Sequence, residues 1–372
     1  MLLAAMLLAA CSGDGDGLTE DCYLDIYVYS PGHAIVTRAD VGEVAPSAEA
    51  ERRVNDLQIW VFRHNDGSKV SYLKTTPTYL NETAGQEKFQ MKVDKVFADN
   101  PENVDVYVVA NAASGGQDAL GEGTTRDGLD AAAISGDYFG TTTLVSSVPA
   151  SGLPMSAVLR NQPVAGQFPT LRIGTGSQIT TMQLTRAVSK LRFVICRITE
   201  KDDADKKLDS IDGISLDADQ IPTASWLIPR DTYSYSFGHD AISYGSVLKA
   251  DIPEVEDPLQ YVYETQKAQE YETLIDEAVR TGVLKQFGLT YFRESTRQIS
   301  GTITYTFTKN GVRSQDVVPF SMAAPGDFLR NHTWIVYIYY MDSTIHVLTV
   351  TNVGVKQWEE DAVEDESTFY NW

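Results

Sequence analysis

The stretch CYLDIYVYS, from Cys22 to Ser30, shows the pattern that decides the fold of this 372-residue chain. Leu24, Ile26 and Val28 alternate with a set that includes Tyr23, Tyr27 and Tyr29, so one side of an extended segment is aliphatic and the other is mainly aromatic. A repeat of two residues is the period of a β-strand, because successive side chains of a strand point to opposite faces of the sheet. The stretch therefore predicts a strand near the amino end of the sequence.

The same period recurs along most of the chain and predicts an all-β fold. Clear examples are LQIWVFR (57–63), VDVYVVAN (104–111), KLRFVICRI (190–198), GTITYTFTKNGV (301–312), TWIVYIYYM (333–341) and STIHVLTVTNVGVKQW (343–358). The pair Asn310-Gly311 predicts a tight hairpin, because both residues tolerate positive φ. Many short strands joined by turns rich in Gly, Asn and Pro favour β-sandwiches over a parallel α/β sheet.

One segment breaks this period and predicts a helix. Between Gln269 and Gly288 the apolar residues recur every three or four positions, which is the spacing of an amphipathic helix. The residues with this spacing are Tyr271, Leu274, Ile275, Ala278 and Val279. We expect the helix to end near Gly288 and to pack across a sheet in the second half of the chain; binding to a partner is the alternative.

Length and composition indicate two folded domains. The chain has 372 residues, of which 43% are hydrophobic, and this length is comfortable for two hydrophobic cores. The stretch GTGSQITTMQ separates two sets of strands, so we place the junction near Thr180 to Leu184. The stretch from Ser114 to Gly140 is rich in Gly, Ala, Ser and Asp and predicts an irregular excursion on the surface.

The charge balance excludes several classes of partner. The chain has 51 acidic and 30 basic residues, and its formal net charge is -21. Nucleic acids and anionic lipid surfaces are bound by clusters of Lys and Arg, so neither is an expected partner. The main basic cluster is Arg186, Lys190 and Arg192, which lies either at a domain interface or on a solvent-exposed face.

The opening stretch, MLLAAMLLAAC, has the features of a bacterial lipoprotein signal. Ten apolar residues are too few to span a bilayer, but they match the hydrophobic region of an export signal. Leu8-Ala9-Ala10-Cys11 fits a lipobox, in which the cysteine is acylated and becomes the mature amino terminus. We therefore predict lipidation at Cys11 and an exported lipoprotein that is held in the membrane by its lipid.

The sequence offers no catalytic constellation. Its five histidines are scattered without the H-x-x-x-H or H-E-x-x-H spacing of a metal site, and its three cysteines form no C-x-x-C pair. It also lacks nucleophile-elbow, dinucleotide-binding and Walker motifs. We therefore predict a protein that is not an enzyme and that uses no metal and no cofactor.

Several motifs, in order along nearly the whole chain, resemble the FimA/Mfa-type fimbrillins, which build type V pili in Bacteroidales-type bacteria. They are the lipobox at Cys11, LQIWVFR, VDVYVVANA, GLPMSA (152–157), LTRAVSKLRF (184–193), LQYVYE (259–264), FLRNHTWIVYIYY (328–340) and the closing VKQW (355–358). Each motif is degenerate alone, and their order carries the resemblance.

The resemblance implies a fold and a route of assembly. Such proteins have two transthyretin-like β-sandwich domains and are lipidated at the outer membrane, after processing by the lipoprotein signal peptidase. An arginine-specific, gingipain-type protease then removes the first strand and so exposes a hydrophobic groove. A strand donated by the next subunit fills this groove. The implied partners are therefore other fimbrial subunits, and the implied locations are the cell outer membrane and an adhesive surface fimbria whose receptor is unknown.

For this chain the resemblance assigns the cut to the bond between Arg38 and Ala39, with Arg52-Arg53 as a second possible site. The candidate donor strand is 343–358. Its alternating residues are Ile345 and Val347 on one face and Leu348 and Val350 on the other. The expected divisions of the chain are a signal peptide (1–11), a tether with the removable first strand (12–38), an amino-terminal β-sandwich domain (39–182) and a carboxy-terminal β-sandwich domain with an acidic tail (183–372).

Two other functions remain open at this stage. A permanently lipid-anchored protein, either a fimbrial anchor or a surface glycan-binding lipoprotein, would keep its first strand and its lipid. The tail that begins at Glu359 is acidic, which makes it a poor groove-filling strand. It is either a mobile tail or a sign of an accessory or tip subunit.

Overall fold

The structure is a computed structural model of the chain. It describes residues 21–30, 49–82, 85–115, 119–134, 144–145, 148–167, 169–176, 179–198, 208–223, 225–230, 237–255, 277–294, 300–321, 330–331, 333–341 and 344–350.

The strands of the described part, in chain order, are β1 (Cys22–Tyr29), β2 (Leu57–Arg63), β3 (Lys69–Thr75), β4 (Gln86–Val93), β5 (Val104–Ala110), β6 (Ala133–Ile134), β7 (Leu144–Val145), β8 (Met155–Gln162), β9 (Val164–Gln167), β10 (Thr170–Ile173), β11 (Thr181–Gln183), β12 (Thr185–Arg186), β13 (Val188–Ile198), β14 (Leu208–Pro222), β15 (Ser225–Trp226), β16 (Phe237–Tyr244), β17 (Val247–Leu248), β18 (Glu254–Val255), β19 (Lys285–Arg293), β20 (Ser300–Lys309), β21 (Val312–Ser321), β22 (Thr333–Met341) and β23 (Thr344–Val350). The short helices are α1 (Glu49–Arg52), α2 (Lys95–Asp99) and α3 (Arg126–Asp130), residues 277–280 are also helical, and 3₁₀ turns lie at Ala112–Gly115 and Lys249–Asp251.

This strand-dominated architecture confirms the predicted all-β class. The first sheet has the order β11-β1-β10-β9, with β4 paired to the other edge of β1, and the second sheet has the order β12-β8-β5-β2-β3. The third sheet has the order β23-β22-β13-β19-β7, with β18 beside β13, and the fourth has the order β16-β14-β20-β21, with β17 beside β14. The strands β6 and β15 form a separate pair.

The four large sheets enclose two hydrophobic cores, as expected when each sheet buries one face against another sheet. The amino-terminal core joins residues of the first and second sheets, such as Leu24 of β1 and Trp60 of β2. The carboxy-terminal core joins residues of the third and fourth sheets, such as Phe193 of β13 and Tyr305 of β20. The strand β13 runs from one core to the other, since its Val188 lies in the first and its Leu191 in the second.

The described part of the segment predicted to be an irregular surface excursion packs against the second sheet. Its residues 119–134 contain α3 and β6, and Leu129 and Ile134 are buried. Trp60 Nε1 donates a hydrogen bond to the carbonyl of Gly121 at 2.9 Å. The β2 stretch is therefore buried on both faces, which explains why LQIWVFR is apolar at nearly every position rather than at every second one.

The hairpin predicted at Asn310-Gly311 is confirmed. It joins β20 to β21, and the two residues have φ values of 49° and 73°. Both angles are positive, as a two-residue hairpin turn of the primed type requires.

The predicted end of the helix near Gly288 is wrong. Residues 277–280 are helical, while β19 begins at Lys285 and runs through Gly288. The helix ends instead at Gly282, whose φ is 76°. Val283 N donates to the carbonyl of Ala278 and Gly282 N to that of Val279, which is the hydrogen-bond pattern of a Schellman cap. The predicted helical residues Tyr271, Leu274 and Ile275 lie outside the described residues.

None of the helices in the described ranges is long and apolar enough to cross a membrane.

Candidate functional site: the groove around the first strand

The strand β1 lies in the middle of the first sheet although it comes first among the described strands. One edge pairs antiparallel with β4 over the full length of β1, from Cys22 opposite Val93 to Tyr29 opposite Gln86. The other edge pairs parallel with two strands in succession, first with β10 and then with β11. Removal of β1 would therefore leave a slot with an unpaired strand edge on each side. We call this slot, lined by β4, β10 and β11, the first-strand groove.

The floor of the first-strand groove is apolar. The inward side chains of β1 are at most 2% exposed, and they are Cys22, Leu24, Ile26 and Val28. Their partners in the flanking strands are also buried: Met91 and Leu171 lie on either side of Leu24, Phe89 lies opposite Ile26, and Met182 lies opposite Val28. Full burial of an aliphatic side chain contributes about 1.5–3 kcal/mol, so β1 supplies a substantial part of the stability of this core.

The outer rim of the groove is polar and carries positive charge. Asp25 of β1 is only 8% exposed. Its carboxylate accepts hydrogen bonds from Lys88 Nζ at 3.3 Å and from Gln90 Nε2 at 3.1 Å. On the other edge, Asp25 pairs in register with Arg172 of β10.

A second ion pair on the same rim joins Asp21 to Lys92, with 2.5 Å between the carboxylate and Nζ. The hydrogen bond from Lys92 lowers the pKa of Asp21 below its ordinary value, and the same bond raises the pKa of Lys92. Both side chains are well exposed, so this pair adds little stability and mainly marks the charge that β4 presents.

After the predicted cut, the described chain resumes with α1, which is anchored to the fold by Glu51. The buried carboxylate of Glu51 lies 2.9 and 3.1 Å from Lys190 Nζ and accepts a hydrogen bond from the hydroxyl of Tyr291. Arg186 Nε donates to the Glu51 carbonyl at 2.9 Å, and its Nη1 donates to Asn331 at 2.9 Å. We call these five residues the Glu51 cluster. It ties α1 to β12, β13, β19 and the turn before β22.

The charge state of Glu51 follows from this environment. Burial by itself raises the pKa of Glu51, but the charges of Lys190 and Arg186 and the hydrogen bonds from Tyr291 and Lys190 outweigh burial and hold the pKa well below its ordinary value of 4.5. The basic cluster of the sequence is thus buried: Arg186 is 4%, Lys190 6% and Arg192 4% exposed. This burial excludes the solvent-exposed face as its location.

The second possible cut site, Arg52-Arg53, lies in chain that the fold holds in place. Asn111 Nδ2 donates to the carbonyl of Arg53 at 2.8 Å, and Asn81 Oδ1 accepts from the amide of Val54 at 2.8 Å. Both backbone groups next to the Arg53–Val54 bond are therefore engaged. Gly152 packs against this arrangement with φ of 83°, and a Cβ there would come within 2.3 Å of Asn111 Nδ2.

The predicted site residues fall in different places. Cys11, Arg38 and Ala39 lie outside the described residues. Ile345, Val347, Leu348 and Val350 lie in β23, which pairs antiparallel with β22 in the register Val347 opposite Ile338. The structure does not bring β23 to the first-strand groove of the same chain, since β23 belongs to the third sheet.

Sequence reasoning missed the polar partners of β1 on β4. Lys88, Gln90 and Lys92 alternate with Phe89, Met91 and Val93, so a strand with one cationic face was readable in EKFQMKV. What the sequence did not show is that this face borders β1. No group of three or more His, Cys, Asp and Glu residues in the described part of the chain is arranged to hold a metal ion.

Comparison with known proteins points to one family. Residues 32–212 match the family model described as the major fimbrial subunit protein FimA. No curated protein matches the chain.

Solved structures that are similar to this chain include three fimbrial proteins. The tip fimbrial protein Mfa3 from Porphyromonas gingivalis, truncated at its carboxy terminus, is 16% identical, with 88% of this chain and 98% of that chain covered and a TM-score of 0.45. A fimbrial assembly protein from Parabacteroides distasonis is 12% identical, with 88% and 95% covered and a TM-score of 0.44. A FimA fimbrilin from Porphyromonas gingivalis is 11% identical, with 90% and 92% covered and a TM-score of 0.44.

The family is one of fimbrial subunits rather than of enzymes, and its model covers the strands that line the first-strand groove. The match therefore confirms the predicted resemblance of this chain to the FimA/Mfa-type fimbrillins, the fimbrial subunit family.

Proposed function

We propose that this chain is a fimbrial subunit that is exported as a lipoprotein, loses β1 by cleavage after Arg38, and polymerises by accepting a strand from the next subunit. The observation that carries the proposal is the position of β1: it is the first strand of the described residues and lies between paired neighbours on both edges. A cut after Arg38 separates β1 from the chain without breaking any other strand of the described part.

Cleavage alone does not empty the groove. The hydrogen bonds and buried side chains of β1 persist after the peptide bond is cut, but β1 is then a separate peptide that can dissociate. An incoming strand with main-chain hydrogen bonds and alternating apolar side chains competes for the same slot, which is β-strand addition. Until then β1 covers two strand edges that would otherwise pair with any available strand.

The residues of the proposal have the following roles. Cys11 carries the lipid that holds the precursor at the outer membrane, and the Arg38–Ala39 bond is cut by an arginine-specific protease. The segment 343–358, with Ile345, Val347, Leu348 and Val350, is the strand that this subunit would donate in turn. The Glu51 cluster supports the scheme, because it keeps the chain after the cut fixed to the fold.

The experiment is to determine the amino-terminal sequence and intact mass of the protein purified from its native cell surface, for the natural chain and for Arg38→Ala. We expect the natural chain to begin at Ala39 without lipid and the variant to stay in the membrane as a lipidated precursor. Arg53→Ala is the matched control and should be processed like the natural chain.

A natural chain that begins at lipidated Cys11 would contradict the proposal and would support a permanently lipid-anchored protein. Incorporation of Arg38→Ala into fimbriae would also contradict it, because β1 would then not have to leave.

A further inference from the structure

We infer that the first-strand groove selects a donor strand with an acidic side chain at the position of Asp25, and that this strand comes from a subunit other than a second copy of this chain. The inference rests on the proposed function, since the groove must first lose β1. The observation that carries it is the polar rim of the groove: Lys88 and Gln90 bind the carboxylate of Asp25, Lys92 lies on the same face of β4, and Arg172 is the cross-strand neighbour of Asp25 on β10.

The rim is positioned by strand geometry. Lys88, Gln90 and Lys92 occupy every second position of β4 and point to its outer face, while the residues between them are buried in the core. Gln90 lies directly opposite Asp25 and Lys88 lies diagonal to it, and both donate hydrogen bonds to the Asp25 carboxylate. Arg172 is the cross-strand neighbour on the other edge. Cross-strand neighbours of opposite charge stabilise a sheet, and like charges in these positions destabilise it.

The cations belong to the groove and not to the strand that leaves. If β1 departs, Lys88, Lys92 and Arg172 remain on β4 and β10, since those strands are part of the folded chain. Their charge opposes the sign of the whole molecule, whose formal net charge is -21. An incoming strand that places an amide, a hydroxyl or a cation at this position would lose the charge-assisted hydrogen bonds that Asp25 accepts, and these are among the stronger hydrogen bonds in proteins.

Residues 343–372 do not supply the matching strand. The groove accommodates the pattern Leu24-Asp25-Ile26, in which an acid lies between two inward aliphatic residues. The segment 343–358 contains no Asp or Glu. The acids between 359 and 372 always have at least one charged neighbour, so none lies between two apolar residues. A heterologous subunit with an apolar-acid-apolar strand fits the groove better than a second copy.

The test uses the full-length chain with a site-specific protease sequence placed at Arg38, so that β1 can be separated by one defined cut. The cut chain is offered fluorescent peptides of residues 21–30, all with Cys22→Ser to prevent oxidation, and the release of β1 is followed by native mass spectrometry. The peptides carry Asp25, Asp25→Asn or Asp25→Lys. A second pair consists of peptide 343–358 and its Thr349→Asp variant, which places an acid between Leu348 and Val350.

We expect the Asp25 peptide to bind about tenfold more tightly than the Asp25→Asn peptide, and the Asp25→Lys peptide to bind more weakly still. On a chain with Lys88→Glu the order of the Asp25 and Asp25→Lys peptides should reverse. Thr349→Asp should improve the binding of peptide 343–358. The reversal is the decisive readout, because a variant that merely damaged the fold would weaken all peptides together.

Equal binding of the Asp25 and Asp25→Asn peptides would overturn the inference and leave the proposed function intact. So would binding of the unmodified peptide 343–358 as tight as that of the Asp25 peptide, which would assign the groove to a second copy of this chain. If no peptide enters the cut chain and β1 stays bound, the strand-exchange function itself fails, and the inference fails with it.

Discussion

The strands β1 and β23 are short, alternate apolar residues, and lie near the two ends of the described chain, yet they occupy different positions in their sheets. The strand β1 has a hydrogen-bonded neighbour on each edge. Among the described strands β23 pairs with β22 alone and forms the edge of the third sheet. A similar sequence pattern therefore produces a strand that completes a sheet in one case and a strand that extends a sheet in the other.

This difference shows why the two strands suit different roles in the proposed exchange. Loss of a central strand separates its neighbours and uncovers a core, so the vacancy has to be filled. Loss of an edge strand leaves the remaining sheet continuous, so the segment can be given to another molecule at a smaller cost to its own subunit. The comparison thus favours β1 as the strand to be replaced and the region of β23 as a strand that can be donated.

The largest expected effect comes from deleting each strand in turn. A chain that begins at Ala39 lacks β1 and should lose about 5 kcal/mol or more of unfolding free energy relative to one that begins at Asp21, because four inward side chains leave the core. A chain that ends at Met341 lacks β23 and should lose less than half as much relative to one that ends at Val350.

Thermal and urea unfolding of the four chains give the loss of unfolding free energy for each deletion. In each pair, the longer chain keeps the strand that the shorter chain lacks. Equal losses from the two deletions would show that the central and edge positions contribute equally to stability. The sheet positions of β1 and β23 would then give no reason to assign them different roles in strand exchange.

The sequence predicted the strands much better than it predicted their neighbours. The period of two located β1, β20 and β22, because alternation is a local property of a half-buried strand. The pairing of β1 with β10 and β11 involves residues about 150 positions away along the chain, and no local pattern encodes that choice. The end of the helix was mispredicted for a similar reason, since Gly282 and Gly288 both suit a helix end and only the backbone at Gly282 has the positive φ of a cap.

The same limit applies to the candidate site. CYLDIYVYS and the lysines of EKFQMKV were each readable as strands, but nothing in either stretch shows that they are adjacent. Glu51 is one of 51 acidic residues, and its local sequence does not distinguish it from a solvent-exposed glutamate. Only the folded structure shows that it is buried beside Lys190 and Tyr291. Long-range packing decides which charges matter.

The second prediction concerns α1, which in the proposed exchange stays in place while β1 is replaced. Glu51→Gln should reduce the unfolding free energy by about 3–5 kcal/mol, because it removes the carboxylate that is paired with the buried ammonium of Lys190. Glu277→Gln is the matched control, since Glu277 forms an exposed pair with Arg280, and its effect should be small.

The pH dependence follows from the depressed pKa of Glu51. Since the folded-state pKa lies below the unfolded value, the stabilisation is present above pH 4.5 and is lost as the pH falls below it. The deficit of Glu51→Gln in urea unfolding should therefore shrink below pH 4.5. A deficit that is independent of pH would mean that Glu51 stabilises the fold through its packing and not through its negative charge.

The third prediction concerns the bond that the fold keeps from being cut. Asn111→Asp should cost about 1–3 kcal/mol, because it removes the hydrogen bonds from Nδ2 to the carbonyls of Arg53 and Leu153, both at 2.8 Å, in a buried position. We expect limited digestion with trypsin to cleave the variant after Arg53 and to leave that bond intact in the natural chain.

Asn161→Asp is the matched control for this prediction. Asn161 has φ of 54°, close to the 55° of Asn111, but its side chain is exposed, so the substitution should leave stability and digestion unchanged. Rapid trypsin cleavage after Arg53 in the natural chain would show that Asn81 and Asn111 do not protect the Arg53–Val54 bond.

The smallest effect on stability separates the role of the rim in folding from its role in selection. In the uncut chain Lys88→Gln should lower the unfolding free energy by at most about 1 kcal/mol, because Lys88 is 43% exposed and its pairing with Asp25 is screened by water. In the cut chain the same variant should reduce the preference for an Asp25 peptide over its Asp25→Asn form about fivefold.

Lys95→Gln is the control for Lys88→Gln. Lys95 lies in α2, outside the strands that line the groove, so this variant should change neither the unfolding free energy nor the peptide preference. Lys88→Gln could instead weaken the binding of all peptides by the same factor. Lys88 would then stabilise the bound strand whatever its charge. In that case any apolar strand, including β23, could replace β1.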